Sequence, residues 1–309
     1  MGLAYIQPQN INVLESRGLV SWKMEPPRRI LSLTLAIPAS FVSDIPHPRE
    51  KTSRVGTIAR AASTFRVEEI VVYRDRPHEE QGADAEFIVT ILRYVETPQY
   101  LRKLLFPPNP ILRYAGILPP LRTPHHPLEK CSSRLKPGKF REGVVTARMG
   151  EGVDVEIGVE RQAILPQSLP RGTRLTVEIT EASREVVRVR RVEPSEISIY
   201  WGYRVRGSNP TLGEMTKKGF FDLVIMTSRW GKPLTEAIGD IKARWREAQN
   251  ALIAFGSPRE GLREILAREG LDIDEVRDFV LNTIPLQGVE TVRTEEAVWA
   301  TLAVLNMIV

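Results

Sequence analysis

Two short stretches near the C-terminus hold residue types that can build a small-molecule site. The first is Gly256-Ser-Pro-Arg-Glu-Gly261, set between an apolar strand pattern, Ala251 to Phe255, and a helical pattern at Leu262, Ile265 and Leu266. Glycines at both ends let the backbone approach a ligand closely, and a helix start exposes unpaired N–H groups. The second is Asn282-Thr-Ile-Pro-Leu-Gln-Gly288, continuing through Val289-Glu-Thr-Val-Arg-Thr294 into the last helix. A strand ending in Pro-x-x-Gly, followed by Thr and Arg before a capped helix, surrounds a pocket with backbone donors and acceptors. Loops at strand ends are where open parallel sheets bind ligands. The first loop is neither a P-loop, lacking Lys-Ser/Thr, nor a Gly-x-Gly-x-x-Gly turn. Read singly, each stretch is also a plain strand–turn–helix connection.

The charge along the chain points to a second kind of ligand. The 309 residues carry a net charge of +5, but residues 97–141 alone hold nine basic residues against one acid, Glu129. Residues 256–309 run the other way, with five arginines against ten acids. A basic block attracts polyanions, nucleic acid above all, although pairing with acids elsewhere in the fold would equally account for it. Arginines outnumber lysines 33 to ten. Their planar forks grip phosphate and stack on bases, which leans toward RNA.

Composition narrows the class further. The chain is 42% hydrophobic and 26% charged, an ordinary globular balance at a length that suggests two domains. No run approaches the ~18 apolar residues of a membrane span, and the start, MGLAYIQPQN, lacks the basic-then-apolar design of a secretory signal. The lone Cys131 excludes an intrachain disulfide and a multi-cysteine zinc site, so no metal site is expected. It suits a reducing compartment, and the expected location is cytoplasmic.

Elements that would position these loops can be read from periodicity. Residues 1–27 have little pattern and read as an arm. Ile30 to Ile37 is an apolar strand, Val55, Ile58, Ala62 and Phe65 fall at helical spacing with Thr52 or Ser53 as cap, and Glu69 to Tyr73 is a second buried strand. Strand, helix, strand in this span predicts a parallel βαβ unit covered by helices. Another helix follows through Phe87 to Val95. Nine prolines in 97–141 argue against long helices there, yet its apolar residues from Tyr100 to Leu118 predict an ordered, irregular segment lying across the sheet. Five short β-type runs between Phe140 and Val192 predict a small barrel, with an OB-fold as the leading candidate. Strands Phe221–Met226 and Ala251–Phe255, a helix over 234–248, and a last helix capped by Thr294 complete an α/β domain. The expected divisions are an arm (1–27), a first α/β part (28–139), an inserted OB-like β domain (140–193) and a second α/β part (194–309).

Taken in order, a set of strings across residues 28–309 resembles the SPOUT superfamily of methyltransferases, in its archaeal and eukaryotic branch with an inserted OB-like domain. The strings are Gly56-Thr-Ile-Ala-Arg60, Val67-Glu-Glu-Ile-Val-Val-Tyr73, Thr97-Pro-Gln-Tyr-Leu-Arg-Lys103, Pro124-His-His126, Phe140-Arg-Glu-Gly143, Tyr200-Trp-Gly-Tyr203, Thr227-Ser228 and Arg293-Thr-Glu-Glu-Ala297, with the two loops above. The resemblance implies a trefoil-knotted parallel sheet with helices on both faces, interrupted by a five-stranded OB-like barrel. It also implies a homodimer and a bent S-adenosylmethionine held by three loops.

Carried onto this sequence, the cofactor residues are Thr227 and Ser228, Phe255, Gly256, Ser257 and Gly261, and Thr283, Ile284, Pro285, Leu286, Gly288, Val289, Thr291 and Thr294. Adenine would sit among Ile284, Leu286 and Val289. The loop departs from the family's Gly-Gly pattern at Gly256-Ser-Pro-Arg259, which leaves its donor geometry open. RNA would be held by Arg49, Lys51, Arg54, Arg102, Lys103, Arg122, His125, His126, Lys139, Arg141, Arg188 and Arg190.

The implied activity is methyl transfer to RNA, ribosomal RNA first, with uridine N3 as a candidate acceptor. Transfer RNA, or a non-catalytic role in ribosome assembly, are the competing readings. If the acceptor is a uridine ring nitrogen, it must lose a proton. Arg60 or Arg293 could then stabilise the anion, and Glu296, Glu295 or the His125–His126 pair could act as base. Each has a bland alternative as well: a phosphate contact for Arg60, helix-dipole complementarity for the two glutamates, loop packing for the histidines.

Overall fold

The computed structural model describes residues 25–150, 152–207, 210–217 and 219–308. Nearly all of the predicted arm, residues 1–24, therefore lies outside the described residues; its end, at Pro26 and Pro27, pairs with Tyr200 and Ile199.

Six parallel strands form one sheet. They are β1 (Ser32–Pro38), β2 (Glu69–Tyr73), β8 (Arg204–Arg206), β9 (Leu223–Pro233), β10 (Asn250–Ala254) and β11 (Phe279–Asn282), in the order β11-β9-β10-β1-β2-β8. Period-two alternation sends side chains to two separate cores. Leu33, Leu35, Ile37, Ile70, Val72, Ile225 and Ile253 face one layer, while Ala36, Val71, Tyr73, Val224, Met226 and Leu252 face the other. The first layer is covered by α1 (Pro48–Thr64), α2 (Gly82–Glu96), α5 (Leu234–Glu247) and α7 (Thr294–Ile308). The second is covered by the short helices α4 (Leu212–Met215) and α6 (Leu262–Arg268).

Strand β1 begins two residues later than its apolar run suggests, leaving Ile30 97% exposed. Helix α1 begins well before Thr52: Pro48 takes the first helical position, where its missing N–H is harmless, and His47 Nδ1 accepts from Arg49 N at 3.1 Å. The predicted loop residues Arg49 and Lys51 thus belong to the first turn of α1. Thr294 is likewise the first residue of α7 and not its cap; Glu296 Oε2 accepts from Arg293 N at 2.9 Å instead.

The proline-rich segment is ordered, with one short helix, α3 (Gln99–Leu105), and 3-10 turns at Pro110–Ile117 and Ser132–Arg134. It lies against the helical layer and not across the sheet. Ile111, Leu112 and Leu118 join the first core, and a Cβ on Gly56 of α1 would stand 2.8 Å from Leu118 Cδ2. Both faces of the sheet are already taken by helices, so an extra apolar segment can only pack outside them.

Between β2 and β8 the chain builds a closed five-stranded barrel from β3 (Phe140–Met149), β4 (Gly152–Glu156), β5 (Ala163–Leu165), β6 (Arg174–Ala182) and β7 (Val187–Val192), in the order β3-β4-β5-β7-β6. Its own core holds Val145, Val153, Val155, Val177, Ile179 and Val189, each inward by alternation. Arg188 and Arg190 of β7 face outward, as their spacing predicts.

Candidate active site

The C-terminal ends of β9, β10 and β11, with the N-terminal turns of α6 and α7, enclose a cleft of about 400 Å³. Of the 14 predicted cofactor residues, ten line it: Thr227, Ser228, Phe255, Gly256, Ser257, Gly261, Thr283, Ile284, Thr291 and Thr294. The others do not. Leu286 is fully exposed at φ 57°, Val289 is 58% exposed, and Pro285 and Gly288 face solvent beside them. Of the proposed adenine cradle only Ile284 is a wall of the cleft.

Each loop is fixed by bonds that consume its carbonyls. Tyr73, at the end of β2 and fully buried, donates its hydroxyl to Phe255 O at 2.7 Å. Burial first, then Asp75 and Glu269, raise that phenol well above its ordinary range, so it keeps its proton and donates to Phe255 O. Thr227 Oγ1 donates to Ala254 O at 2.9 Å, and Thr294 Oγ1 reaches Gly256 O at 3.4 Å. Ser257 closes the 257–260 turn, its N–H donating to Glu260 O and its hydroxyl accepting from Glu260 N at 3.0 Å. At the position after Gly256, Ser257 thus holds the turn through its side chain as well as its backbone. Gly256 itself is needed, since a Cβ there would meet Glu260 O at 2.9 Å. Thr283 and Thr301 share a hydroxyl bond at 2.8 Å that ties the third loop to α7.

One wall carries an uncommitted acceptor. Glu260 Oε1 accepts from Arg268 Nη2 at 2.5 Å, which together with the nearby cations outweighs burial and keeps the carboxyl low. Its Oε2 is buried without a partner. A buried carboxylate oxygen without a donor, on a residue that lines a cleft, is an open acceptor for a hydroxyl or ammonium that can reach it.

The predicted catalysts do not converge. Arg60 Nη1 donates to Pro120 O and Leu121 O, both at 2.9 Å, holding the proline-rich segment onto α1 and away from the cleft lining. Glu296 serves the N-terminus of α7. Arg293 is exposed between the cleft-lining Val292 and Thr294, does not itself line the cleft, and has no ion-pair partner among the described residues. Glu295 is buried against Arg54 at 3.6 Å, and burial raises its carboxyl.

Several residues expected to hold RNA are structural. His125 is fully buried, with Nε2 2.9 Å from Glu96 O, and His126 Nε2 lies 2.6 Å from the same carbonyl. Burial, then His125, pulls His126 down to about 3, so the ring is neutral. Arg141 is 4% exposed and donates to Ile157 O and Glu129 O. Arg102 donates to Thr97 O and Val95 O and lies over Tyr94. These four are corrections: each is committed to backbone carbonyls and to packing, which leaves it poorly placed to reach phosphate. Lys51 pairs with Asp84, Arg54 with Glu50, Lys139 with Glu25, Arg188 with Glu181 and Arg190 with Glu178 and Glu196. Arg49, Lys103 and Arg122 are exposed without an acidic partner among the described residues.

The sequence assigns no site role to Tyr73, Glu260, Asn282 or Trp230, although the first three fall within its named strings. Tyr73 reads as one more apolar strand residue, and its hydroxyl finds Phe255 only because β1, lying between β2 and β10, brings their ends together.

A cleft at the carboxyl edge of a parallel sheet, built by three loops, defines an α/β protein equipped for a small ligand. Residues 32–305 match the family described as "Putative RNA methyltransferase", and the chain belongs to that family of enzymes. It is 35% identical to an uncharacterised protein of Halobacterium salinarum over 90% of this chain and 99% of that one. It is 31% identical to the 28S rRNA (uridine-N(3))-methyltransferase of Homo sapiens and 32% identical to that of Mus musculus, over 90% of this chain and 78% and 77% of theirs. No helix among the described residues is long and apolar enough to cross a membrane.

Proposed function

We propose that this protein is an S-adenosylmethionine-dependent methyltransferase of ribosomal RNA, with uridine N3 as acceptor. The observation that carries the reading is the meeting of three separate loops in one cleft, in a chain similar to ribosomal RNA uridine-N3 methyltransferases. The cleft fits the cofactor in size, since small-molecule sites run from about 300 to 1,000 Å³. It fits in chemistry too: Ile284 and Phe255 offer apolar wall, and the lining Glu260 keeps one carboxylate oxygen without a donor, which a ribose hydroxyl or the ammonium would satisfy if the 257–260 turn opens toward it. When bound, the cofactor supplies an electrophilic methyl group.

The chain's own part is chiefly placement. Tyr73, Thr227 and Thr294 lock the loops, so that donor and acceptor meet in line, which lowers the barrier without covalent chemistry. Arg293, next to the cleft-lining Val292 and Thr294, would stabilise the uridine anion left when the N3 proton passes to solvent. A SPOUT trefoil knot, an OB-type barrel, a homodimer covering Leu286 and Val289, and a cytoplasmic location belong to the same reading. The all-parallel sheet, the barrel order β3-β4-β5-β7-β6 and the exposure of those two side chains support it.

Calorimetry with S-adenosylmethionine, then transfer of labelled methyl to ribosomal RNA from a strain lacking the gene, tests it. Micromolar binding and one new methyluridine are expected. No binding at millimolar cofactor overturns it.

A further inference from the structure

Strand β9 does not run straight. Its first half pairs with β10, and Ile225 and Met226 pair with Phe279 and Val280 of β11. The register then jumps, so that Leu281 and Asn282 face Lys232 and Pro233. Residues 227–231 are an excursion with firm anchors. Asn282 Nδ2 donates to Arg229 O at 2.8 Å, Ser228 Oγ accepts from Trp230 N at 3.2 Å, and Gly231 sits so close to β11 that a Cβ would meet Leu281 backbone at 2.7 Å.

This anchored excursion presents Trp230 at the lip of the cleft, 84% exposed. The guanidinium of Arg229 lies over its ring, 5.0 Å from the centroid, while donating to Glu290 O at 2.9 Å. An indole held out of the core on a braced turn forgoes hydrophobic stabilisation that a buried position would give. Two neighbouring cations, Arg229 and the cleft-lining Arg259, have no acidic partner among the described residues. A flat aromatic face flanked by arginines without an ion-pair partner matches a nucleobase joined to phosphates better than an apolar protein surface, which would leave that charge unanswered.

We propose that Trp230, with Arg229 stacked on it, is the platform on which the target nucleobase of the RNA stacks on entering the cleft. RNA recognition is then shared between the basic segment, which holds the polymer, and this lip, which presents the base. The inference rests on the methyltransferase reading for what lies deeper in the cleft, and its test is separable from it.

Trp230→Ala, Trp230→Phe and Arg229→Gln are compared with the full chain in four measurements: calorimetry with S-adenosylmethionine, poly(U) binding across salt, methyl transfer to in vitro transcribed large-subunit ribosomal RNA, and sedimentation. For Trp230→Ala, poly(U) affinity and kcat/KM for RNA are expected to fall on the order of ten- to a hundredfold, with cofactor affinity and oligomeric state unchanged. Trp230→Phe recovers most of the loss. Arg229→Gln lowers the salt slope by about one. RNA binding unaffected by Trp230→Ala overturns the platform; so does an equal loss of cofactor affinity, which would make Trp230 a cofactor wall, or conversion of a dimer to monomer, which would assign it to a second copy. Wild-type protein that binds no cofactor sinks the methyltransferase reading, while poly(U) binding by the wild type against Trp230→Ala still decides this one.

Discussion

Arg174 on β6 and Glu96 at the end of α2 form a two-pronged ion pair, Nη1 to Oε2 at 2.8 Å and Nη2 to Oε1 at 3.0 Å. The same guanidinium donates through Nε to Glu142 Oε2 at 2.8 Å, and Thr176 and Trp201 satisfy Glu142 Oε1. One arginine of the barrel thus spans the seam to the α/β body. The carboxylates are only 11% and 6% exposed, so water cannot replace the arginine. Arg174→Ala is expected to destabilise the protein by about 3–5 kcal/mol, mostly by stranding two buried charges. Arg174→Lys recovers part, because an ammonium cannot fork. Thermal unfolding measures both; a loss below ~1 kcal/mol would show that other contacts hold the seam.

Acid should act on this same seam. Burial and His125 hold His126 down to about 3 from an ordinary 6.5. Burial raises Glu96, but Arg174 and His125 outweigh it and hold the carboxyl at about 2 against an ordinary 4.5. In both windows the unfolded chain carries a proton that the folded chain does not, so stability falls as pH falls. Urea titrations are expected to show a decline starting near pH 6.5 and steepening below 4.5. His126→Gln flattens the upper part alone, and Glu96→Gln the lower.

Tyr73→Phe removes one buried hydroxyl and leaves Phe255 O unsatisfied. A stability loss of about 1 kcal/mol is expected, together with several-fold weaker S-adenosylmethionine binding because the 255–261 loop loses its tether. Calorimetry that shows unchanged affinity would separate Tyr73 from the site.

Gly256→Ala drives a methyl group against Glu260 O. Loop backbone must shift, and cofactor affinity is expected to drop at least tenfold while the melting temperature changes by only a few degrees. An equal fall in both would mean the glycine serves folding alone.

For RNA, the uncommitted cations should matter and the committed ones should not. Lys103→Ala with Arg122→Ala is expected to reduce the log–log salt slope of RNA binding by about two. Arg141→Ala instead lowers stability, its guanidinium being spent on Ile157 O and Glu129 O. Filter binding across salt and thermal unfolding distinguish the two patterns.

The sequence alone determined the elements whose signals are local. Apolar runs marked β1, β2, β9 and β10, alternation marked the barrel strands, and glycine and proline bracketed the two loops that line the cleft. Those loops were legible because a strand-end turn must carry its own backbone freedom, whatever packs around it. Tertiary structure alone decided which polar side chains are free. His125, His126, Arg102 and Arg141 sit in a basic, surface-like sequence, yet backbone carbonyls brought beside them by the fold claim every one of them. Tyr73 and Trp230 show the reverse: one looks like core and tethers the cleft, the other follows a buried strand and stands in solvent. Hydrogen-bond partners and burial depend on residues far apart in the chain, Arg174 and Glu96 among them, and only the folded chain brings them within reach.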